Sequence, residues 1–177
     1  VCSSDLAELI ANLRNKLEIL NSYTFSDSEW DRFFKDALAN PNDHIVEKTR
    51  KIQEDFVQVL KRDDGSTKNI TLIDKKNIHN NLLQVINQYK VNAGEGGRGG
   101  VLGRAISQDE GARHSNRYDV TILVNGFPMI HVELKRRGVA IREAFNQIDR
   151  YQRDSFWAGS GLFEYVQIFV ISSGTNT

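Results

Sequence analysis

Apolar residues in the first forty positions recur at the spacing of helices. Leucine and isoleucine return every three or four residues between positions 6 and 20, a pattern that predicts an amphipathic helix. A second helix is predicted to begin at the capping box Ser26-Asp-Ser-Glu29 and to end at Asn40-Pro41. Both apolar stripes are typical of core-packing surfaces. We therefore predict a helical segment over residues 1–41 and a main domain over residues 42–177.

Strand patterns begin in the main domain. The runs Val57–Leu60 and Ile70–Ile73 flank turn-forming residues at Asp63–Ser66, which predicts an antiparallel pair. Residues 46–60 as a whole fit either a strand or a helix, and residues 82–91 also fit either period.

The most informative pattern lies between Arg117 and Lys135. Two apolar, β-branched runs flank the sequence Asn125-Gly-Phe-Pro128, and Asn-Gly between such runs predicts a hairpin. The first run opens with Asp119, and the second ends with Glu133-Leu-Lys135. Folding the hairpin would bring position 119 back towards positions 133 to 135. Two carboxylates and an amine are therefore expected to converge at one end of a sheet.

Two carboxylates brought close together on strands call for a cation. They would repel each other, and one would tend to keep its proton unless a positive charge lay between them. Carboxylate oxygens and water are the ligands that Mg²⁺ and Mn²⁺ prefer, and a bound divalent ion lowers the pKa of a water ligand. Lys135 shares a strand face with Glu133 and could orient the attacking water. The pattern indicates a metal-dependent phosphodiesterase; the alternative is a hairpin whose charged end is only structural.

His131 is expected on the same strand face, because it precedes Glu133 by two residues. It could contact DNA or a metal-bound water. No second histidine or cysteine stands at metal-ligand spacing, which favours a structural strand histidine.

Residues beyond the hairpin extend the pattern. A helical repeat from about Ala140 to Arg153 places Gln147 and Tyr151 on one face. The hairpin resembles the core of the Asp…Glu-x-Lys nuclease superfamily, and Gln147-x-x-x-Tyr151 resembles the motif that the RecB-like branch carries after its lysine strand. The wider sequence is similar to the R (motor and restriction) subunit of type I restriction enzymes. This similarity is carried by residues 45–91, 118–126, 131–138, 165–172 and 174–177.

The resemblance implies a restriction-endonuclease-like α/β fold, in which helices flank a mixed sheet and residues 82–91 form the first core strand. It also implies that this chain is the N-terminal nuclease domain of a type I site-specific deoxyribonuclease subunit, with motor lobes elsewhere in the subunit. Those lobes would use ATP to translocate double-stranded DNA. The implied cofactor is Mg²⁺, which Mn²⁺ could replace, and the implied partners are methyltransferase (M) and specificity (S) subunits.

Site residues carry over from the resemblance onto matching positions. Asp119 and Glu133 would be metal ligands, with the carbonyl of Leu134 as a candidate third ligand. Lys135 would be the catalytic amine.

Four further residues are implied to act on the DNA or to hold the site. Gln147 and Tyr151 would support the site and the DNA backbone, and the basic pair Arg136 and Arg137 would contact DNA. The family also commonly supplies an acidic ligand from an early helix. The candidates in this chain are Glu8, Glu47 and Glu54, with nothing in the sequence to choose between them.

Composition agrees with this interpretation. The formal net charge is zero, but residues 98–153 contain ten lysines and arginines against six acidic residues. A phosphate backbone would be attracted to that excess, and the alternative is a solvated surface with additional arginines. The single cysteine excludes a disulfide framework, and no signal peptide or long apolar run is present. We therefore expect a cytoplasmic protein without a membrane partner.

Two alternative functions fit the same sequence. No Gly-x-x-x-x-Gly-Lys-Ser/Thr loop occurs, so ATP hydrolysis is expected outside these 177 residues, and we interpret the chain as an N-terminal fragment. A catalytically idle DNA-binding or docking module would bind DNA without cutting it. A stand-alone RecB-like repair nuclease would cut without ATP or partner subunits.

Overall fold

The structure, a computed structural model, describes residues 6–91, 116–135 and 161–172, together with the single positions 142 and 146. Three helices come first: α1 (Leu6–Asn21), α2 (Asp27–Phe33, continued by a π-helical turn Phe34–Leu38) and α3 (Ile45–Gln53). Six strands follow: β1 (Val57–Lys61), β2 (Thr67–Thr71), β3 (Leu83–Val91), β4 (Asn116–Val124), β5 (Phe127–Leu134) and β6 (Ile168–Ser172). Short 3₁₀ turns at Ile78–Asn80 and Leu162–Tyr165 precede β3 and β6.

The strands form two sheets. β1 and β2 make an antiparallel pair, and the main sheet has the order β3-β4-β5-β6. Its pairs are antiparallel except for β5 and β6, which are parallel, so the predicted mixed sheet is confirmed. The predicted β1–β2 pair and the strand at residues 82–91 are also confirmed. The ambiguous stretch 46–60 divides into all of α3 except its first residue and most of β1.

Helix α1 packs its leucines onto the sheets. Leu9, Leu13 and Leu17 recur at the spacing of one helix face, and all three are buried. Asn21, at the end of α1, bonds the backbone N–H and carbonyl of Thr71 in β2. The N-terminal helical segment therefore shares a core with the strands, while the proposed division at residue 41 stays a prediction.

The predicted capping box of α2 is confirmed. The Ser26 hydroxyl accepts from the Glu29 backbone N–H, and the Glu29 carboxylate accepts from the Ser26 N–H. Glu29 is buried, and its carboxylate also accepts from the Tyr23 hydroxyl at 2.7 Å and from the Asp63 N–H at 3.1 Å. One carboxylate thus joins the start of α2 to the β1–β2 turn.

The hairpin between β4 and β5 is confirmed. Its turn residues Asn125 and Gly126 have φ angles of 50° and 87°, the left-handed pair that a tight Asn-Gly turn requires. Asn125 is buried: its side chain accepts from the Leu82 N–H and donates to the Leu72 carbonyl. These bonds attach the turn to the segment that connects β2 with β3.

A β-bulge follows the turn. Leu123 pairs with Pro128, but the next residue of β4, Ile122, pairs with Ile130. Met129 is therefore an extra residue in β5. The bulge lies beside Pro128, which has no backbone N–H to contribute to the strand ladder.

A buried ion pair holds the segment before β6 against α3. Lys48 of α3 is 2% exposed, contacts the Glu164 carboxylate and donates to the Gly161 carbonyl at 2.9 Å. The hydroxyl of Tyr165 donates to the Leu38 carbonyl at 2.9 Å, and burial raises the pKa of this tyrosine. The ion pair and this hydrogen bond set where the chain enters β6.

Among the described residues, the buried apolar side chains form one cluster to which helices and both sheets contribute. Its members are Leu9, Leu13, Leu17, Phe25, Trp30, Phe33, Leu38, Ile52, Leu60, Ile70, Leu72, Ile86, Leu123, Phe127, Leu162, Phe163, Tyr165 and Val166. None of the helices in the described part of the chain is long and apolar enough to cross a membrane.

We predict that Gly126→Ala destabilises the protein more than Gly65→Ala. Both glycines have positive φ, so both variants incur backbone strain of about 1–2 kcal/mol. A Cβ at position 126 would also lie 2.6 Å from the Leu13 Cα, whereas a Cβ at position 65 has no atom within 4 Å. Urea denaturation followed by circular dichroism measures both free energies of unfolding. Equal losses would contradict the close packing of α1 on the turn.

Candidate active site

His131 and Glu133 of β5, with Lys135 just beyond the end of the strand, form a polar row on one face of the main sheet. Glu133 is 1% exposed, and its Oε1 accepts a hydrogen bond from the Lys135 ammonium at 2.7 Å. The Nε2 atom of His131 lies 3.7 Å from Glu133 Oε2. The expectation that these three residues share a face is therefore confirmed, as the alternation of a strand requires.

The two basic neighbours govern the charge of Glu133. Burial opposes ionisation of the carboxyl, but the neighbouring His131 and Lys135 outweigh it and hold the pKa of Glu133 below its ordinary value. The buried side chain is therefore a carboxylate at neutral pH. An ionised carboxylate is the kind of oxygen ligand that a divalent hard cation prefers.

Residue 119 stands beside this row in the strand register. Val120 of β4 pairs with Val132 of β5, Asp119 immediately precedes Val120, and Glu133 immediately follows Val132. The backbone positions 119 and 133 are therefore level with each other at the same end of the hairpin. The Asp119 side chain lies outside the described part of the structure, so its role as a ligand stays a prediction.

Glu133 has a carboxylate oxygen that suits a divalent ion. Its Oε2 atom is buried and has no hydrogen-bond partner among the described residues, which leaves a carboxylate oxygen available for a cation. Among the side chains that the structure describes, which do not include that of Asp119, no three histidine, cysteine or acidic groups lie close enough together to hold a metal. Leu134 pairs with Ser172 of β6, and a ligand role for its carbonyl stays a prediction.

The three acidic candidates from the early helices differ in their surroundings. Glu47 accepts from the His44 N–H at 3.0 Å at the start of α3, and Glu54 is an exposed residue paired with Arg50. Glu8 of α1 lines a small cavity with residues of β3 and β4, among them Ile86. Because Ile86 pairs with Thr121, this cavity borders the sheet face that carries His131 and Glu133.

The remaining predicted site residues lie outside the described residues. They are Arg136, Arg137, Gln147 and Tyr151. Between positions 136 and 160 only Arg142 and Asn146 are described, and both are helical and exposed; the predicted helix over 140–153 otherwise lies outside the described residues.

The sequence alone did not predict the contact between Thr121 and His131 on this face. The Thr121 hydroxyl lies 3.4 Å from His131 Nδ1, because Thr121 and His131 are opposite each other in the β4–β5 register. A tight turn at Asn125-Gly126 without the bulge would have placed Thr121 opposite Ile130. The proline three residues beyond Asn125 was the one signal of an irregular register.

Comparisons with known proteins match nearly the whole chain to subunits of one class of enzyme. The family model described as type I restriction enzyme R protein N terminus matches residues 3–177. The type I restriction enzyme EcoprrI endonuclease subunit of Escherichia coli is 47% identical over 169 residues, which cover 96% of this chain and 48% of that protein. The SsaAORF53P endonuclease subunit of Staphylococcus saprophyticus is 34% identical over 175 residues, covering 96% of this chain and 16% of that protein. The chain thus spans at most about half the length of these relatives.

We predict that the stability difference between wild type and Glu133→Gln depends on pH when both proteins are kept metal-free with a chelator. The pKa of Glu133 is lower in the folded chain than its ordinary value of 4.5. Ionisation therefore contributes stability that is complete above about pH 4.5 and is lost as the pH falls through the folded-state pKa. Urea denaturation from pH 7 to pH 3 should show wild type losing stability relative to the variant.

Glu54→Gln is the control for this measurement, since it removes a carboxylate that is exposed. The free energy of unfolding of wild type relative to Glu133→Gln should fall as the pH falls. If this difference stayed constant or grew, it would contradict the lowered pKa assigned to Glu133.

Proposed function

Because the chain belongs to the family of type I restriction enzyme R protein N termini, we propose that it is the Mg²⁺-dependent DNA endonuclease domain of such a subunit. The observation that carries this proposal is the buried Glu133 carboxylate, which is paired with Lys135 and is level with backbone position 119. Relatives named as endonuclease subunits support it. A buried carboxylate next to an amine, at the end of a hairpin and level with an aspartate position, matches the groups that phosphodiester hydrolysis requires.

The proposed ligands are the Glu133 carboxylate, the Asp119 side chain and the Leu134 carbonyl. When bound there, Mg²⁺ would lower the pKa of a water ligand and neutralise charge on the scissile phosphate. Mn²⁺ could replace it, since both ions prefer oxygen ligands. Among the early-helix acids we favour Glu8 as a further ligand, because it lines the cavity that borders this sheet face, whereas Glu47 caps α3 and Glu54 is paired with Arg50.

Lys135 has two tasks in the proposed hydrolysis. Its ammonium donates to Glu133 Oε1, which keeps both groups charged in a buried setting. On the side facing the DNA, the same ammonium would orient the attacking water and stabilise the negative charge that develops on the phosphate. Water attacks the phosphorus directly, the leaving strand end departs, and no covalent bond to the protein forms.

DNA contacts and the wider assembly complete the proposal. Arg136, Arg137, Gln147 and Tyr151 would contact the DNA backbone or support the site, and the basic excess of residues 98–153 favours phosphate binding. The whole subunit would translocate DNA with ATP-driven motor domains and would assemble with M and S subunits.

We predict that Asp119→Ala and Lys135→Ala each reduce cleavage of circular double-stranded DNA by at least about 100-fold, the usual cost of removing one stabilising group from such a site. The assay uses the full subunit assembled with its partners, ATP and Mg²⁺. Lys76→Ala removes an exposed lysine of another segment and should cut at the wild-type rate. Full activity of Lys135→Ala would refute its catalytic role.

The same assay separates the alternative functions. DNA binding by wild type without metal-dependent cutting would favour the idle binding module. Cleavage by the chain alone, without ATP or partner subunits, would favour a stand-alone nuclease.

We also predict that Mn²⁺ binds at the site formed by Glu133 and Asp119. Crystals of the chain soaked in Mn²⁺ should show an anomalous difference peak within bonding distance of the Glu133 carboxylate and the Asp119 side chain. Crystals of Glu133→Gln, treated identically, should lack the peak because an amide oxygen is a neutral and weaker ligand. A wild-type map without a peak, with the two carboxyl groups apart, would contradict the proposed metal site.

A further inference from the structure

His131 is a buried side chain without a role in the hydrolysis described above. It is 2% exposed and lies between Thr121 and Glu133 on the face of the candidate site. The edge of its ring meets the ring of Phe169 in β6, with centroids 6.0 Å apart. Both ring nitrogens face polar groups, although the ring itself is packed in the protein interior.

Thr121 and Glu133 together indicate which nitrogen of the imidazole carries the hydrogen, because the ionised Glu133 carboxylate that faces Nε2 can only accept. A threonine hydroxyl can donate to Nδ1, from which it is 3.4 Å away, and a neutral imidazole then carries its hydrogen on Nε2. This Nε2–H faces Glu133 Oε2 at 3.7 Å. A shift of about half an ångström in either side chain would bring the two atoms into hydrogen-bond range.

The Glu133 carboxylate thus faces a basic side chain at each of its two oxygens. Lys135 donates to Oε1, and His131 is aligned on Oε2, the oxygen that has no hydrogen-bond partner among the described residues. Once His131 has moved within hydrogen-bond distance of Oε2, the carboxylate no longer rotates freely about its last bond. The ordering of this ligand is then completed before a metal binds, which lowers the entropy lost on binding.

We propose that His131 is a positioning residue for the metal ligand Glu133, acting through Oε2 to set the orientation of the carboxylate towards the divalent ion. This role rests on the proposed function, because it requires Glu133 to bind the metal. Groups that hydrogen-bond a metal ligand typically change metal affinity by about 10–100-fold when they are removed. The lowered pKa of Glu133, to which His131 contributes, agrees with this role.

The test is the affinity for Mn²⁺, measured on the full chain by isothermal titration calorimetry. His131→Leu keeps a buried side chain of similar size but removes the donor, and we expect it to weaken Mn²⁺ binding by about 10–100-fold. His131→Gln keeps an amide donor of similar reach and should stay within about threefold of wild type. Thr121→Val removes the orienting hydroxyl at constant volume and should weaken binding by a smaller factor than His131→Leu.

A control on the opposite face of β5 accounts for changes in packing. Ile130→Val truncates a partly buried residue of the same strand and should leave Mn²⁺ affinity unchanged. Circular dichroism melting verifies that each variant folds. If His131→Leu does not fold, the comparison of Thr121→Val with wild type and with His131→Gln decides the question, since both keep a polar residue at position 131.

The outcomes are distinct. Wild-type affinity in both His131→Leu and Thr121→Val would overturn the positioning role while leaving the metal site intact. Equal weakening by His131→Leu and His131→Gln would overturn it as well, because the donor would then have no effect beyond packing. Absence of Mn²⁺ binding by wild type, with no difference from Glu133→Gln, would overturn the proposed metal site and the role of His131 together.

Discussion

The register between β4 and β5 depends on one extra residue. Met129 interrupts the pairing, so that Ile122 lies opposite Ile130 and Val120 opposite Val132. Without this bulge, position 119 would be level with position 132. Because side chains alternate along a strand, a one-residue slip exchanges the two faces of the sheet. The bulge therefore determines whether position 119 shares a face with Glu133, and with it the geometry of the candidate site.

The cost of burying charge shapes two parts of the molecule in the same way. Glu133 is ionised although it is buried, because its contacts with Lys135 and His131 outweigh the cost of removing the carboxylate from water. Lys48 and Glu164 solve the same problem near the start of β6, with the Gly161 carbonyl as an additional acceptor. The second pair fixes where β6 begins, and the ladder of β6 with β5 ends where the Lys135 N–H donates to the Ser172 carbonyl. Both ends of the parallel pair are therefore anchored.

These constraints give the proposed chemistry a physical basis. A nuclease site needs its carboxylate ionised and its amine protonated before DNA arrives, since reorganisation during the reaction raises the barrier. In this structure the amine and the carboxylate already contact each other, and the imidazole is aligned on the second oxygen. The family membership of the chain and the endonuclease names of its relatives agree with that preorganised arrangement.

Sequence by itself determined several of the elements and which residues meet on one face at the candidate site. Periodicity and local turn residues were sufficient for α1, the capping box at Ser26, the hairpin at Asn125-Gly126 and the shared face of Glu133 and Lys135, because each depends on residues close together along the chain. Only the tertiary structure decided how residues 46–60 divide between α3 and β1, that Lys48 pairs with Glu164, and that Thr121 faces His131. These features depend on partners distant in sequence and on a bulge that local patterns do not encode, since a strand slipped by one residue has the same composition.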